Sequence, residues 1–120
     1  MAQHNELGYW GEKVAADLLK SKSYAILDIN WKYRKYELDI LALFENLLIV
    51  VEVKTREHWQ DFDPLKSITI AKQKRIIRAA HAYIQEKELT QEVRFDIITV
   101  IRKQGVPEIT HIPDAFYALV

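Results

Sequence analysis

Four ionisable residues stand at the far ends of two apolar runs in the stretch 36–56, YELDILALFENLLIVVEVKTR: Glu37 and Asp39 open the first run, and Glu52 and Lys54 close the second. Glu45-Asn46 is the only polar break between the runs. A two-residue turn there pairs Phe44 with Leu47, and counting outward sets Asp39 opposite Glu52 and Glu37 opposite Lys54. Strand side chains alternate, so all four groups are expected on one face of the pair. Towards the turn that face carries Leu41, Leu43, Leu48 and Val50, which predicts partial shielding from water. Two carboxylates placed directly opposite repel each other and call for a cation. Either Lys54 supplies it or a metal ion does.

The elements that must hold this patch can be read along the chain. Asn5 can cap a first helix with Glu6 in its first turn, and Leu7, Gly11, Val14, Ala15, Leu18 and Leu19 recur at helical spacing to about Lys22. Glu12 lies between the small residues Gly8 and Ala15. By spacing alone it belongs in solvent at the helix edge, with Gly8 and Gly11 allowing close packing on a sheet. The stretch 24–33 alternates apolar and polar and reads as a first strand anchored by Trp31. Thr69 can cap a second helix over about 70–88 with Ile76, Ile77, Ala80, Tyr83 and Ile84 buried. The stretch 93–102 is a fourth strand, expected to return parallel to the third through a right-handed crossover. After a turn at Gly105 and Pro107, residues 108–112 predict a short fifth strand, and Asp114 a cap on a last turn containing Phe116 and Leu119. Asp96 is expected to pair with a nearby Arg or Lys. His58 and His111 are isolated, so packing or surface roles are expected of both.

Composition limits the function classes. The chain has 120 residues, about half of them apolar, and no cysteine, which suits one domain in a reducing cytoplasm and excludes thiolate zinc sites. No signal-like start and no apolar run of membrane-spanning length is present, so a cytoplasmic protein with no membrane partner is expected. With 17 basic and 17 acidic residues the net charge is zero, and any affinity for a polyanion must come from local clusters. Lys32, Arg34 and Lys35 form one such cluster, Lys54 and Arg56 a second, and Lys72, Lys74, Arg75 and Arg78 a third. The segment 31–36, WKYRKY, suits stacking on bases and contact with phosphates. It equally suits an edge strand guarded by cations against pairing with other chains. The loop 57–64 could cover the charged end of the hairpin.

The order helix, three strands, helix, strand, with Asp39 on the second strand and Glu52-Val53-Lys54 on the third, resembles the PD-(D/E)xK nuclease superfamily. Along nearly the whole chain the sequence is similar to the YraN family of uncharacterised bacterial proteins. That similarity rests on Leu7-Gly8-Tyr9-Trp10-Gly11-Glu12, Asn30-Trp31, Glu37-Leu38-Asp39, Val51-Glu52-Val53-Lys54-Thr55-Arg56, Lys72 with Arg75, Arg94-Phe95-Asp96, His111-Ile112 and Ala115-Phe116. The chain departs from the pattern at Tyr36, where glycine is usual, and the loop 57–64 lacks the glycine expected there. Tyr36 either stacks on a base or fills part of the groove.

The resemblance implies an α/β fold for residues 1–120 as a single domain, with a restriction-endonuclease-like αβββαβ core in which helices flank a central mixed sheet. It also implies Mg²⁺ or Mn²⁺ held by Asp39, Glu52 and the Val53 backbone carbonyl. Glu12 resembles the first-helix glutamate of archaeal Holliday junction resolvases, which assists the metal site. The cation would polarise a phosphate oxygen and help activate water, while Lys54 positions that water or offsets charge on the phosphate. Glu37 would support Lys54. Lys32, Arg34, Lys35, Arg56, Lys72 and Arg75 would contact nucleic acid, DNA in preference to RNA.

The function implied is a divalent-metal-dependent endonuclease hydrolysing DNA phosphodiester bonds, structure-selective on branched substrates, with a homodimer as one way to cut both strands of a junction. The alternative is a nucleic-acid-binding module of the same fold with little turnover. A third account makes the charges structural, with a Glu37–Lys54 salt bridge and with Asp39 and Glu52 satisfied elsewhere.

Overall fold

Asn5 holds extended backbone (φ −96, ψ −179) and its side chain accepts the Gly8 N–H at 2.8 Å, which starts helix α1 (Glu6–Ser21). The computed structural model describes residues 5–58 and 63–117. After α1 come β1 (Ala25–Tyr33), β2 (Tyr36–Phe44), β3 (Leu47–Arg56), α2 (Ile70–Lys87), β4 (Glu92–Lys103) and β5 (Val106–Phe116). The first six elements, in the order αβββαβ with a mixed sheet between helices, form the restriction-endonuclease-like arrangement, and β5 extends the sheet. Thr69 caps α2 by accepting the Lys72 N–H at 3.1 Å, as the sequence predicts.

The five strands lie in sequence order, β1-β2-β3-β4-β5. Neighbours are antiparallel except β3 and β4, which α2 connects as a parallel crossover. Glu45 and Asn46 both hold positive φ, 47° and 64°, the backbone that a twist-matched two-residue hairpin requires. The register Phe44↔Leu47 to Ile40↔Val51 is the one counted from the sequence. Gln104 and Gly105 repeat the device between β4 and β5, and Pro107 follows on the edge strand, which tolerates a missing N–H.

Because β2 and β3 are interior, alternation buries both of their faces. Leu41, Leu48, Val50, Phe95 and Ile97 pack with Ile76, Ala79, Ala80 and Tyr83 of α2 on one side. Ile40, Ala42, Ile49, Val51, Ile98 and Val100 pack with Ala15, Ala16 and Leu19 of α1 on the other. The buried stripe of α1 is rotated from the expected one: Glu12 and Ala16 are buried, whereas Leu7, Val14 and Leu18 are only half-buried. The cause is close contact at Gly11. A Cβ built there would fall inside the Thr55 side chain, 2.7 Å from its Cγ2 and 2.8 Å from its Cβ, so the helix backbone lies directly on β3.

The end of the chain differs from the expected short strand and helical turn. β5 runs on to Phe116, and Asp114 does not cap a helix. Its N–H instead donates to Asp96 Oδ1 at 3.0 Å, with Asp114 itself at φ 55° in an irregular stretch of the β4/β5 ladder. Asp96 is fully buried and also accepts from Arg94 Nε and Nη2 at 2.9 Å each, while His111 Nε2 lies 2.7 Å from Oδ2. Arg94 donates on to the Tyr24 hydroxyl at 2.8 Å. Asp96 thus has the expected Arg partner, whereas His111, expected to be isolated in a packing or surface role, belongs to the same polar network, with Lys22 Nζ 3.1 Å from its Nδ1. Leu119 lies outside the described residues, as do residues 59–62 of the loop 57–64 expected near the site.

The Gly11–Thr55 contact is open to measurement. Overpacking of this kind costs about 1–3 kcal/mol. Gly11→Ala should lower the melting temperature accordingly, and adding Thr55→Ala should restore part of the loss by removing Cγ2 and Oγ1. Equal melting of Gly11→Ala and the parent chain would show that α1 does not sit on β3 as described.

Candidate functional site

The β2/β3 ladder is regular as far as Ile40↔Val51, and just beyond it the Val53 N–H donates to Asp39 Oδ2 at 2.8 Å. A side chain therefore takes a donor that a strand ordinarily gives to its neighbour's backbone. On the other side of β2 the ladder with β1 pairs Ile29↔Ile40 and Trp31↔Leu38, and the position between them holds Asn30 at φ 55°. Alternation breaks there: Leu38 packs in the same cluster as Leu41, three residues away, and Trp31 meets Tyr83 of α2 edge-on at 5.0 Å. The expectation that Glu37 and Asp39 share a face rested on unbroken alternation, which this kink interrupts. The kink also turns the Asn30 side chain to α1, where its Nδ2 donates to Glu12 Oε1 at 3.2 Å. Asn tolerates positive φ better than most residues.

Glu12, Asp39, Glu52, Val53, Lys54 and Lys72 line one open cleft of about 420 Å³ at this end of the sheet. All three carboxylates are buried, each no more than 8 % exposed. Glu12 is therefore drawn into the site rather than left in solvent at the helix edge. Lys54 Nζ lies 4.0 Å from Glu52 Oε1, and Lys72 Nζ lies 3.1 Å from the same oxygen. Glu37 is also buried, and its Oε1 is 3.7 Å from Lys32 Nζ, its register partner across β1 and β2. Arg56 lines the same cleft as Lys54.

The electrostatics follow from burial and crowding. Burial pushes the Asp39 carboxyl well above the usual range, and the Glu52 charge pushes it further, against the Val53 N–H and Lys72. Burial pulls Lys54 down to about 8, and the adjacent Lys72 pulls the same way against Glu52. Burial also opposes the charge on Lys72, yet the Glu52 carboxylate holds it above the ordinary lysine range. Tyr36 is raised by burial first and then by the Glu52 and Asp39 charges, so the residue at the usual glycine position stands beside the carboxylates.

Among the described residues no group of three or more His, Cys, Asp or Glu side chains is arranged to hold a metal ion. The donor chemistry nevertheless fits a hard divalent cation of the Mg²⁺ type, which is ordinarily bound by one or two carboxylates and completes its shell with water and phosphate. Asp39 and Glu52 are such a pair.

The other residues singled out for nucleic acid fall into two places. Lys32, Arg34, Lys35 and Tyr36 line a cleft at the β1–β2 turn. Arg34, Lys35 and Tyr36 also join Arg75, Arg78 and Tyr33 in a neighbouring one, where the Arg34 guanidinium lies 5.1 Å over the Tyr33 ring. The second place is the carboxylate cleft itself, which takes Arg56 and Lys72. Sequence reasoning put Lys72 on a basic helix face and missed its contact with Glu52. Its place three residues after the Thr69 cap was the available signal, since it fixes Lys72 in the first turn of α2. Nothing in the residue type of Asn30 indicates that it holds Glu12.

Comparison with known proteins gives one consistent result. A family model described as "Uncharacterised protein family UPF0102" matches residues 11–100. The chain is 41% identical to a UPF0102 protein of Flavobacterium psychrophilum over 117 residues, 98% of each chain. It is 43% identical to one of Christiangramia forsetii, again over 98% of each. With one of Bacteroides thetaiotaomicron it shares 46% over 98% of this chain and 97% of the relative.

A carboxyl held above its ordinary range favours the fold while protonated; that contribution is full below the ordinary value and is gone once pH passes the raised one. Asp39→Asn keeps an acceptor for Val53 N–H without the charge. In chelator at about neutral pH it should melt a few degrees higher than the parent, on the order of 1 kcal/mol. The difference should shrink as pH falls towards the ordinary carboxylate value. A lower melting temperature for Asp39→Asn at neutral pH would contradict this account of the site.

Proposed function

The chain belongs to the UPF0102 family, and from that premise we propose that it is a divalent-cation-dependent endonuclease hydrolysing phosphodiester bonds in DNA, with selectivity for branched substrates. The observation that carries the proposal is the buried pair Asp39 and Glu52 with Lys54 beside it, in an open cleft at the end of a nuclease-type sheet. A structural ion pair has no need of a second carboxylate placed against the first, nor of an opening to solvent.

Asp39, Glu52 and the Val53 carbonyl would hold Mg²⁺ or Mn²⁺, and Glu12 would assist. When bound, the cation supplies Lewis-acid polarisation of a phosphate oxygen and neutralises charge that develops during displacement. The remaining work falls to the chain. Lys54, pulled down to about 8, can hold or release a proton at Nζ near neutral pH, which suits it to orient the attacking water or to donate to a phosphate oxygen. The Val53 N–H fixes the Asp39 carboxylate, and Asn30 fixes that of Glu12, so both carboxylates are oriented before substrate arrives. The clefts at Arg34, Lys35 and Arg75 supply local cations for a backbone that the net-neutral chain does not attract as a whole. No helix of the described residues is long and apolar enough to cross a membrane.

One observation favours the second account, a binding module with little turnover: Lys72 already sits on Glu52 at 3.1 Å. The two accounts separate in one experiment. Branched, single-stranded and duplex DNA are incubated with Mg²⁺ or Mn²⁺, and Asp39→Asn and Lys54→Met are compared with the parent. The endonuclease account expects cleavage that each substitution lowers by at least about a hundredfold. Salt-sensitive binding without cleavage, unchanged in Asp39→Asn, would establish the binding module instead.

A further inference from the structure

We propose that Lys72 is a built-in counter-ion for Glu52 that a divalent cation must displace, so that cation and nucleic acid bind to this cleft cooperatively. The inference rests on the metal-dependent account above and concerns a residue to which that account gives no part at the cation.

Three facts support it. Lys54 and Lys72 both approach Glu52 Oε1, but Lys72 is the nearer, at 3.1 Å against 4.0 Å. Lys72 is also the more exposed, with 28% of its side chain open against 14% for Lys54, so it has the freer route out. Finally, its backbone is fixed in the first turn of α2 by the Thr69 cap, while a flexible four-carbon stem carries the ammonium. The residue can therefore exchange partners without moving the helix.

Formal charge gives the consequence. Glu12, Asp39 and Glu52 line the cleft together with Lys54, Arg56 and Lys72, three carboxylates with three cations. The cleft is balanced as it stands. A divalent cation seated on Asp39 and Glu52 would leave an excess of positive charge, and Lys72 would lose its carboxylate partner. A cation near a helix N-terminus is unfavourable until an anion joins it. The backbone of a nucleic-acid strand supplies those anions, and Lys72 released from Glu52 is placed to meet one. Cation binding should thus be weak alone and strong with nucleic acid.

The test measures Mn²⁺ binding to the intact chain by the loss of the free-ion paramagnetic signal, with and without a single-stranded phosphorothioate oligonucleotide that resists cleavage. For the parent chain, the oligonucleotide should tighten Mn²⁺ binding by about tenfold. Lys72→Met should bind Mn²⁺ alone about tenfold more tightly than the parent and show little further gain with oligonucleotide. Lys72→Arg, which keeps the charge, should behave as the parent, and so should Lys74→Met on the same helix. Thermal melts establish that each variant is folded, and Lys72→Gln replaces Lys72→Met if the latter is not. Equal or weaker Mn²⁺ binding in the folded neutral variant, with the parent still binding Mn²⁺, overturns the counter-ion role alone. Absence of Mn²⁺ binding in every variant, with and without oligonucleotide, overturns it together with the metal-dependent account.

Discussion

The bond from Val53 N–H to the Asp39 carboxylate is the constraint on which the candidate site depends. It stands where the regular β2/β3 ladder stops, and it meets a backbone donor's need with a side chain rather than a carbonyl. The carboxylate is thereby fixed in direction at the cost of burial beside Glu52. Such an arrangement is unfavourable for the fold, since one carboxyl is driven well above its ordinary titration range. Lysines from two different elements, β3 and α2, offset part of that cost. The site is therefore assembled from four separate elements, α1, β2, β3 and α2, whose common frame is the sheet.

Much of this frame was legible from residue types. The apolar runs of β2 and β3, the polar pair between them and the caps at Asn5 and Thr69 are local signals, and local signals determined both helix starts and the β2/β3 register from Phe44↔Leu47 to Ile40↔Val51. What alternation could not convey is a kink. A single positive φ at Asn30 changes which face every following residue of β1 presents, and β2 follows through the shared ladder. The same limit hid the burial of Glu12. Helical spacing ranks positions by apolarity and places a glutamate outside, whereas the rotation of α1 is set by the backbone contact at Gly11. Lys72 was hidden for a related reason, because a basic helix turn looks alike whether it faces water or a carboxylate.

The extended β5 teaches a complementary lesson. Asp114 has the composition of a helix cap, and the nearby Gly105 and Pro107 suggested only a short strand. The buried Asp96 carboxylate overrides that preference by accepting the Asp114 N–H together with Arg94 and facing His111. A buried charge needs several partners at once, and β5 is long because one of them is its own backbone. This cluster and the candidate site use the same means, an aspartate bonded to main-chain N–H. Only one of them is open to solvent. Asp96 is closed and satisfied, which suits a role in holding β4 to β5, while Asp39 borders a cleft.

The bare contact of α1 on β3 at Gly11 also has a mechanical meaning. Most helices rest on sheets through a layer of side chains that can adjust by rotamer, which cushions small displacements of one element against the other. Here main chain bears almost directly on a strand side chain, and Glu12 is the next residue along. Little compliance separates Glu12 from β3, the strand that carries Glu52 and Lys54. Any force that shifts α1 is delivered to the carboxylates as displacement rather than absorbed, and the precision of the cleft is set by the stiffness of the peptide chain.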